Sequence, residues 1–273
     1  MMDQAAMLRA MMAERHPMPP APNGPPTLVV GSGKGGVGKS VLSVLLAERV
    51  AADGRRVLLV DGDQNMGNLH VLLGLARANR LENVLNETAA PRDLLVPVAE
   101  RIHLLPSDSG ADSLYSLSAV DRARLHHRLS ALYDEFDAVI VDAGPGLESV
   151  VRVATMRATR LIVVTAPEPA ALTDAYATIK VLAATQGRRR IHLVVNQVRR
   201  PGEGRQVRAQ LQQVVDRYVN PTLDAPVRIE LLGEVPADPA VRDAVLRRQL
   251  LLDTLPGTAA SLALVALAAR MLE

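Results

Sequence analysis

The sequence predicts a doubly wound α/β domain: a mostly parallel sheet with helices on both faces. Three observations carry this. Five short runs, Thr27–Val30, Val57–Val60, Ala138–Val141, Leu161–Thr165 and Ile191–Val195, are apolar at successive positions, as strands covered on both sides must be. Longer amphipathic stretches alternate with them, the pattern of strands joined by crossover helices. A chain of 273 residues at 48% hydrophobic is also long enough to build one large core.

Three parts follow along the chain. Residues 1–15 place Met7, Leu8, Met11 and Met12 near helical spacing, with Asp3 able to cap the start. At that length a helix is marginal in water, so the segment either folds against a partner or stays a disordered tail. Residues 16–26, HPMPPAPNGPP, hold six of the 18 prolines and read as an extended tether. Residues 27–273 form the α/β domain. Its helices are expected at Ser40–Ala52, Val120–Tyr133, Glu148–Met156, Ala170–Ala184, Val207–Val219 and Pro239–Leu250, with a closing helix from about Thr258. Leu94–Val96 and Ile102–Leu105 read as further strands. Gly257–Leu272 is shorter than the roughly 20 residues that span a bilayer and contains Arg270, so a packed terminal helix is expected. Asp3 and Arg9 interrupt any secretory signal, which predicts a cytoplasmic protein.

Composition removes several classes of function. There is no cysteine, hence no disulfide, thiolate nucleophile, iron–sulfur cluster or Cys-ligated zinc. Lys and Arg total 31 against 29 Asp and Glu, far from the excess of a protein that coats nucleic acid. Aromatics are 2% of the chain, too few for base-stacking platforms. The histidines form no metal-spaced pair; adjacent His126 and His127 point in different directions on a helix.

Directly after the first strand stands Gly31-Ser32-Gly33-Lys34-Gly35-Gly36-Val37-Gly38-Lys39-Ser40, which satisfies G-x-x-x-x-G-K-S from Gly33 at a strand-to-helix junction. This is the signature of a P-loop NTPase fold. The backbone from Gly33 through Gly35, Gly36, Val37 and Gly38 turns its N–H groups toward a β-phosphate. Lys39 offsets β/γ charge, and the Ser40 hydroxyl ligates Mg²⁺. The chain prefers Arg, and two of its three lysines, Lys34 and Lys39 but not Lys180, lie in this loop. Asp61 and Asp63 end the second strand near the loop and share a face if the strand persists that far; solubilising turn residues are the alternative. Asp142, in Asp142-Ala143-Gly144-Pro145-Gly146 after another strand, takes the position of a carboxylate that holds magnesium through water.

The second lysine, Lys34, makes K-G-G-V-G-K-S resemble the deviant Walker A ATPases, the family of MinD, ParA and the nitrogenase iron protein. The resemblance implies ATP and Mg²⁺ as ligands and an ATP-dependent homodimer in which Lys34 reaches the partner's phosphates. A solvated loop charge is the local alternative. It further implies that Asp61 serves near the metal, that Asp63 positions the attacking water, that Asn196 contacts adenine, and that Pro236 and Asp238 line the other side of the base. A turn role for these last three is the alternative.

Within the family, DGDQNMGNLHVLLGL after the second strand, Thr165-Ala166-Pro167-Glu168-Pro169 and Val194-Val195-Asn196-Gln197-Val198 look like the FlhG/FleN regulators of flagellar number. Asp3-Gln4-Ala5 with Leu8-Arg9 resembles their amino-terminal segment. That likeness implies partners: an FlhF-type GTPase whose hydrolysis Gln4 stimulates, flagellar switch-ring components and a flagellar transcriptional activator. One departure stands out. Ser261–Leu272 lacks the basic amphipathic tail with which this group meets the membrane, leaving Leu246, Arg247 and Arg248 as the available interfacial residues. Competing readings are a MinD-type division-site regulator, a ParA-type partitioning ATPase binding DNA nonspecifically through Arg188–Arg190 and Arg199-Arg200, and a metabolic P-loop ligase.

Overall fold

The computed structural model describes residues 24–63, 67, 69–76, 83–84, 86–107, 124, 127–129, 131–146, 150, 160–248 and 257–272. The amino-terminal segment with Asp3, Gln4, Ala5, Leu8 and Arg9, most of the tether, the helix expected at Glu148–Met156 and much of that at Val120–Tyr133 lie outside these residues.

Eight strands build one sheet: β1 (Thr27–Gly31), β2 (Val57–Gly62), β3 (Val96–Ala99), β4 (Ile102–Leu105), β5 (Ala138–Ala143), β6 (Arg160–Thr165), β7 (Arg190–Val198) and β8 (Arg228–Pro236). Their order is β3-β4-β2-β5-β1-β6-β7-β8, and every pairing is parallel except β3 with β4. The principal described helices are α1 (Lys39–Ala52), α2 (Pro169–Gln186), α3 (Glu203–Tyr218), α4 (Pro239–Leu246) and α5 (Ala259–Leu272).

Alternation along the central strands divides the core into two layers. Val29, Val139, Val141, Leu161 and Val163 face Ile179 and Leu182 of α2 and Leu211 and Val215 of α3. Leu28, Val30, Ile140, Ile162 and Val164 face Leu42, Leu45 and Leu46 of α1 and Leu264 and Leu267 of α5. The double covering explains why these strands carry no polar face. It also places α1 and α2, which follow adjacent strands, on opposite sides of the sheet and opens a crevice above β1 and β6.

One expectation needs correction. Pro91–Leu94 is a 3₁₀ turn and the strand begins at Val96: Pro91 suits a first helical position, and Asp93 accepts the Ala90 N–H at 2.8 Å, tying the turn together in place of strand pairing. The sheet also has an eighth strand, β8, in a stretch to which the sequence pattern assigns no element. Its alternating polarity, with Gly233 and Pro236, hides it among turn signals.

Because β8 lies at one margin of the sheet, its outward backbone groups need partners, and side chains supply them. Gln212 acts as a surrogate peptide, donating to the Val227 carbonyl at 3.0 Å and accepting the Ile229 N–H at 2.8 Å. Arg208 donates to the Ile229 carbonyl and Arg270 to that of Leu232. The terminal helix packs on β8 and α1 as expected, yet Leu262 and Val265 face outward, as does Leu246 at the end of α4. No helix among the described residues is long and apolar enough to cross a membrane.

Replacing Gln212 with Ala removes two backbone partners at once. The variant is expected to lose about 1–2 kcal/mol of stability in urea unfolding, with an unchanged slope.

Candidate functional site

The loop expected to cradle phosphate joins β1 to α1 at the carboxyl end of the sheet. Two of its glycines have structural causes. Gly38 takes φ 87°, a left-handed conformation, and has the Asn196 side chain against it. Gly33 lies so close to α2 that a Cβ would overlap the Asp174 carbonyl and the Thr178 hydroxyl. No side chain caps α1 and no acidic residue stands in its first turn, so the helix presents first-turn N–H groups that no side-chain cap claims.

Beneath the loop, Asp61 and Asp142 sit directly opposite each other on β2 and β5. Both are buried, as is Lys39. Burial pushes the Asp142 carboxyl above the usual range, against the pull of the Lys39 ammonium and the hydroxyls of Ser40 and Ser43. Ser43 Oγ donates to Asp142 Oδ1 at 3.1 Å. Burial likewise raises Asp61 to about 6, opposed by bonds from the N–H groups of Leu69 and Asp63 and assisted by the charges of Asp142 and Asp63. Those two bonds, at 3.2 and 3.1 Å, also end the strand: β2 stops at Gly62, so Asp63 lies beyond it in the turn and does not share a strand face with Asp61.

The far end of the loop is braced by β7. Asn196 Nδ2 donates to the Val37 carbonyl at 2.8 Å, and Gln197, at φ 60°, donates to the Gly36 carbonyl at 3.3 Å. That bond takes one of the two Nδ2 hydrogens and leaves the other and Oδ1 for a further contact. Pro236 closes β8. Asp238 caps two helices, its oxygens accepting the N–H groups of Ala240 at 3.0 Å and Ala260 at 3.2 Å, so its carboxylate already has turn partners. Lys34 is paired with Glu168 at 3.1 Å.

Ser43 escapes sequence reading, although its position three residues after Ser40 on a helix is the signal that puts it on the same face. Glu168 and Gln197 act through long-range partners that no local pattern reveals. The arginines invoked for DNA binding are largely committed elsewhere: Arg189 pairs with Asp224, Arg190 pairs with Glu230 at 3.0 Å, and Arg188 is buried, while Arg199 and Arg200 are exposed. A cleft lined by Gly24, Pro25, Asp134, Phe136 and Asp137 lies at the opposite end of the sheet, where the strands begin.

The donor set fits a magnesium–nucleotide rather than a free metal. Among the described residues no group of three His, Cys, Asp or Glu could hold an ion by itself. The Ser40 hydroxyl and two carboxylates with raised proton affinity are suited to a cation whose remaining ligands are phosphate oxygens and water. Such a cation would offset the burial cost that Asp61 and Asp142 now carry.

The family model described as AAA domain matches residues 26–195. The antiactivator FleN of Pseudomonas aeruginosa is 35% identical over 89% of this chain and 85% of its own length. The flagellum site-determining protein YlxH of Helicobacter pylori is 27% identical over 82% of the chain and 74% of its own. Among solved structures, the septum site-determining protein MinD of Pyrococcus horikoshii, complexed with Mg-ADP, superposes with a TM-score of 0.67 at 25% identity, covering 90% of this chain and 95% of that one.

Asp61 gives the site a pH signature. Its folded-state value near 6 exceeds the ordinary 3.8, so ionising it in the native state costs stability. That cost is absent below the ordinary value, grows across the window between the two and is complete above the folded one. Relative to the wild type, nucleotide-free Asp61→Asn should therefore gain about 2–3 kcal/mol between pH 4 and pH 7, measured by urea unfolding.

Proposed function

The chain belongs to the AAA-domain family of MinD/ParA-type ATPases, among the relatives of the flagellar regulator FleN, and on that premise we propose a cytoplasmic switch that sets flagellar number and placement. As an ATPase of this family it works with ATP and Mg²⁺. In the proposed cycle, ATP joins two copies, partners read the dimer, and hydrolysis returns the protein to monomers.

Each residue has a task that follows from its position. The loop backbone from Gly33 to Gly38 presents N–H groups to the β-phosphate, and Lys39 offsets the charge of the β/γ bridge. Ser40 would hold the cation, and Asp142 and Asp61 would supply the carboxylates beside it. Bound Mg²⁺ would supply Lewis-acid neutralisation of charge on the triphosphate. Asp63, released from the strand by the turn at Asp61, orients the attacking water and accepts its proton. Lys34 of the partner subunit completes the charge balance at the γ-phosphate, as an arginine finger would. Asn196, Pro236 and Asp238 stand around the adenine.

The observation that carries this reading is Lys34, a second lysine in a loop whose phosphate chemistry needs only one. Its regulatory direction comes from the likeness to FleN and from Asp3-Gln4-Ala5, which we assign to an FlhF-type GTPase, with Gln4 as the stimulating residue and Leu8 and Arg9 as flanking contacts. Switch-ring components and a flagellar transcriptional activator are the further proposed partners. The partitioning alternative draws on arginines that are mostly paired or buried, and the flagellar reading is favoured accordingly.

Size-exclusion chromatography with ATP tests the switch. Asp63→Ala should accumulate as a dimer, and Lys34→Ala should stay monomeric with hydrolysis reduced by about 10³- to 10⁵-fold, as for loss of an arginine finger. An Asp63→Ala protein that binds ATP yet remains monomeric would count against the cycle. The amino-terminal assignment is tested separately: wild-type protein should stimulate GTP hydrolysis by the flagellar GTPase, and Gln4→Ala should not.

A further inference from the structure

The two lysines of the loop are held in different ways. Lys39 is buried near Asp142, whereas the Lys34 side chain is 35% exposed and its Nζ donates to Glu168 Oε2 at 3.1 Å. Glu168 lies on the segment leaving β6, the strand beside β1, and occupies the N-cap of α2. A short Asp or Asn side chain there would accept first-turn N–H groups, whereas glutamate is long enough to reach past them. Glu168 makes no such bond and reaches for the lysine instead.

The lysine's backbone is tied down too. Ser32 Oγ donates to the Lys34 carbonyl at 2.7 Å, and Gly33 is wedged against α2. Both ends of Lys34 are thus anchored to its own subunit. A cation held this way is unavailable to a phosphate bound elsewhere until the pair opens.

We propose that Glu168 is a positioning residue that keeps Lys34 in cis in the monomer and so sets the protein concentration at which two ATP-bound copies join. The inference rests on the dimer reading given above. Glu168 is more than half exposed, so the pair is a weak restraint: releasing it should shift dimerisation by about two- to five-fold. A restraint of that size suits a reversible device, because a triphosphate carries enough charge to win the lysine from one carboxylate.

The test uses the full chain in two measurements. Analytical ultracentrifugation with a non-hydrolysable ATP analogue gives the dimerisation constant for wild type, Glu168→Gln and Glu168→Asp. Amine labelling without nucleotide, read by peptide mass spectrometry, gives the reactivity of Lys34 against Lys180, a clean comparison in a chain with three lysines. Glu168→Gln should label Lys34 about two- to three-fold faster and dimerise at about two- to five-fold lower concentration, with Glu168→Asp staying near wild type. Unchanged labelling in Glu168→Gln overturns the cis pair whatever the dimer does. Faster labelling with equal or weaker dimerisation overturns the threshold role. Wild type that remains monomeric with the analogue fails the dimer reading, and the threshold role falls with it.

Discussion

Two carboxylates buried side by side, only one of them answered by an ammonium, form the constraint around which the rest of this structure is arranged. Asp61 and Asp142 are register partners on neighbouring strands, and both have raised proton affinity because water is excluded from them. Such an arrangement is unfavourable in a protein that only has to be stable. It becomes reasonable where a divalent cation arrives with its own phosphate ligands and then leaves. The hydroxyl of Ser43 at Asp142 and the N–H groups of Leu69 and Asp63 at Asp61 offset part of that burial cost.

Most of the sheet was legible because burial on two faces leaves a strong imprint on composition. Five strands and the helices that join them follow from apolar runs and helical spacing, and the glycine loop from its motif and its place between a strand and a helix. β8 was not legible. A strand at the margin of a sheet keeps one polar flank, and Arg228, Glu230 and Glu234 in it look like loop residues. The exit of β2 stays open in the sequence for a related reason: whether Asp63 continues the strand depends on Asp61 folding back on its own backbone, a choice that periodicity does not encode.

The site divides along the same line. Residues defined by a local motif, from Gly33 to Ser40, could be named from sequence. Those defined by a distant partner could not: Ser43 matters through Asp142, Gln197 through the Gly36 carbonyl, and Glu168 through a lysine 134 residues away. Asn196 and Asp238 show the reverse case, residues named for a ligand that already serve the fold by bracing the loop and capping helices. In both groups a side chain that supports the architecture also lies near the glycine loop or at the carboxyl end of the sheet, so a substitution there changes the fold and the site together.

The amide of Gln212, lying where the next peptide of the sheet would be, has a consequence for how copies of this chain can meet. A molecule proposed to pair and separate repeatedly must avoid the other, open-ended way in which sheets join, by annexing strands into polymers that do not come apart. With Val227, Ile229 and Leu232 already hydrogen-bonded to its own helices, that margin offers a neighbour only an interrupted backbone ladder. In the proposed cycle self-recognition belongs instead to the face that carries the glycine loop, where a small molecule can govern it.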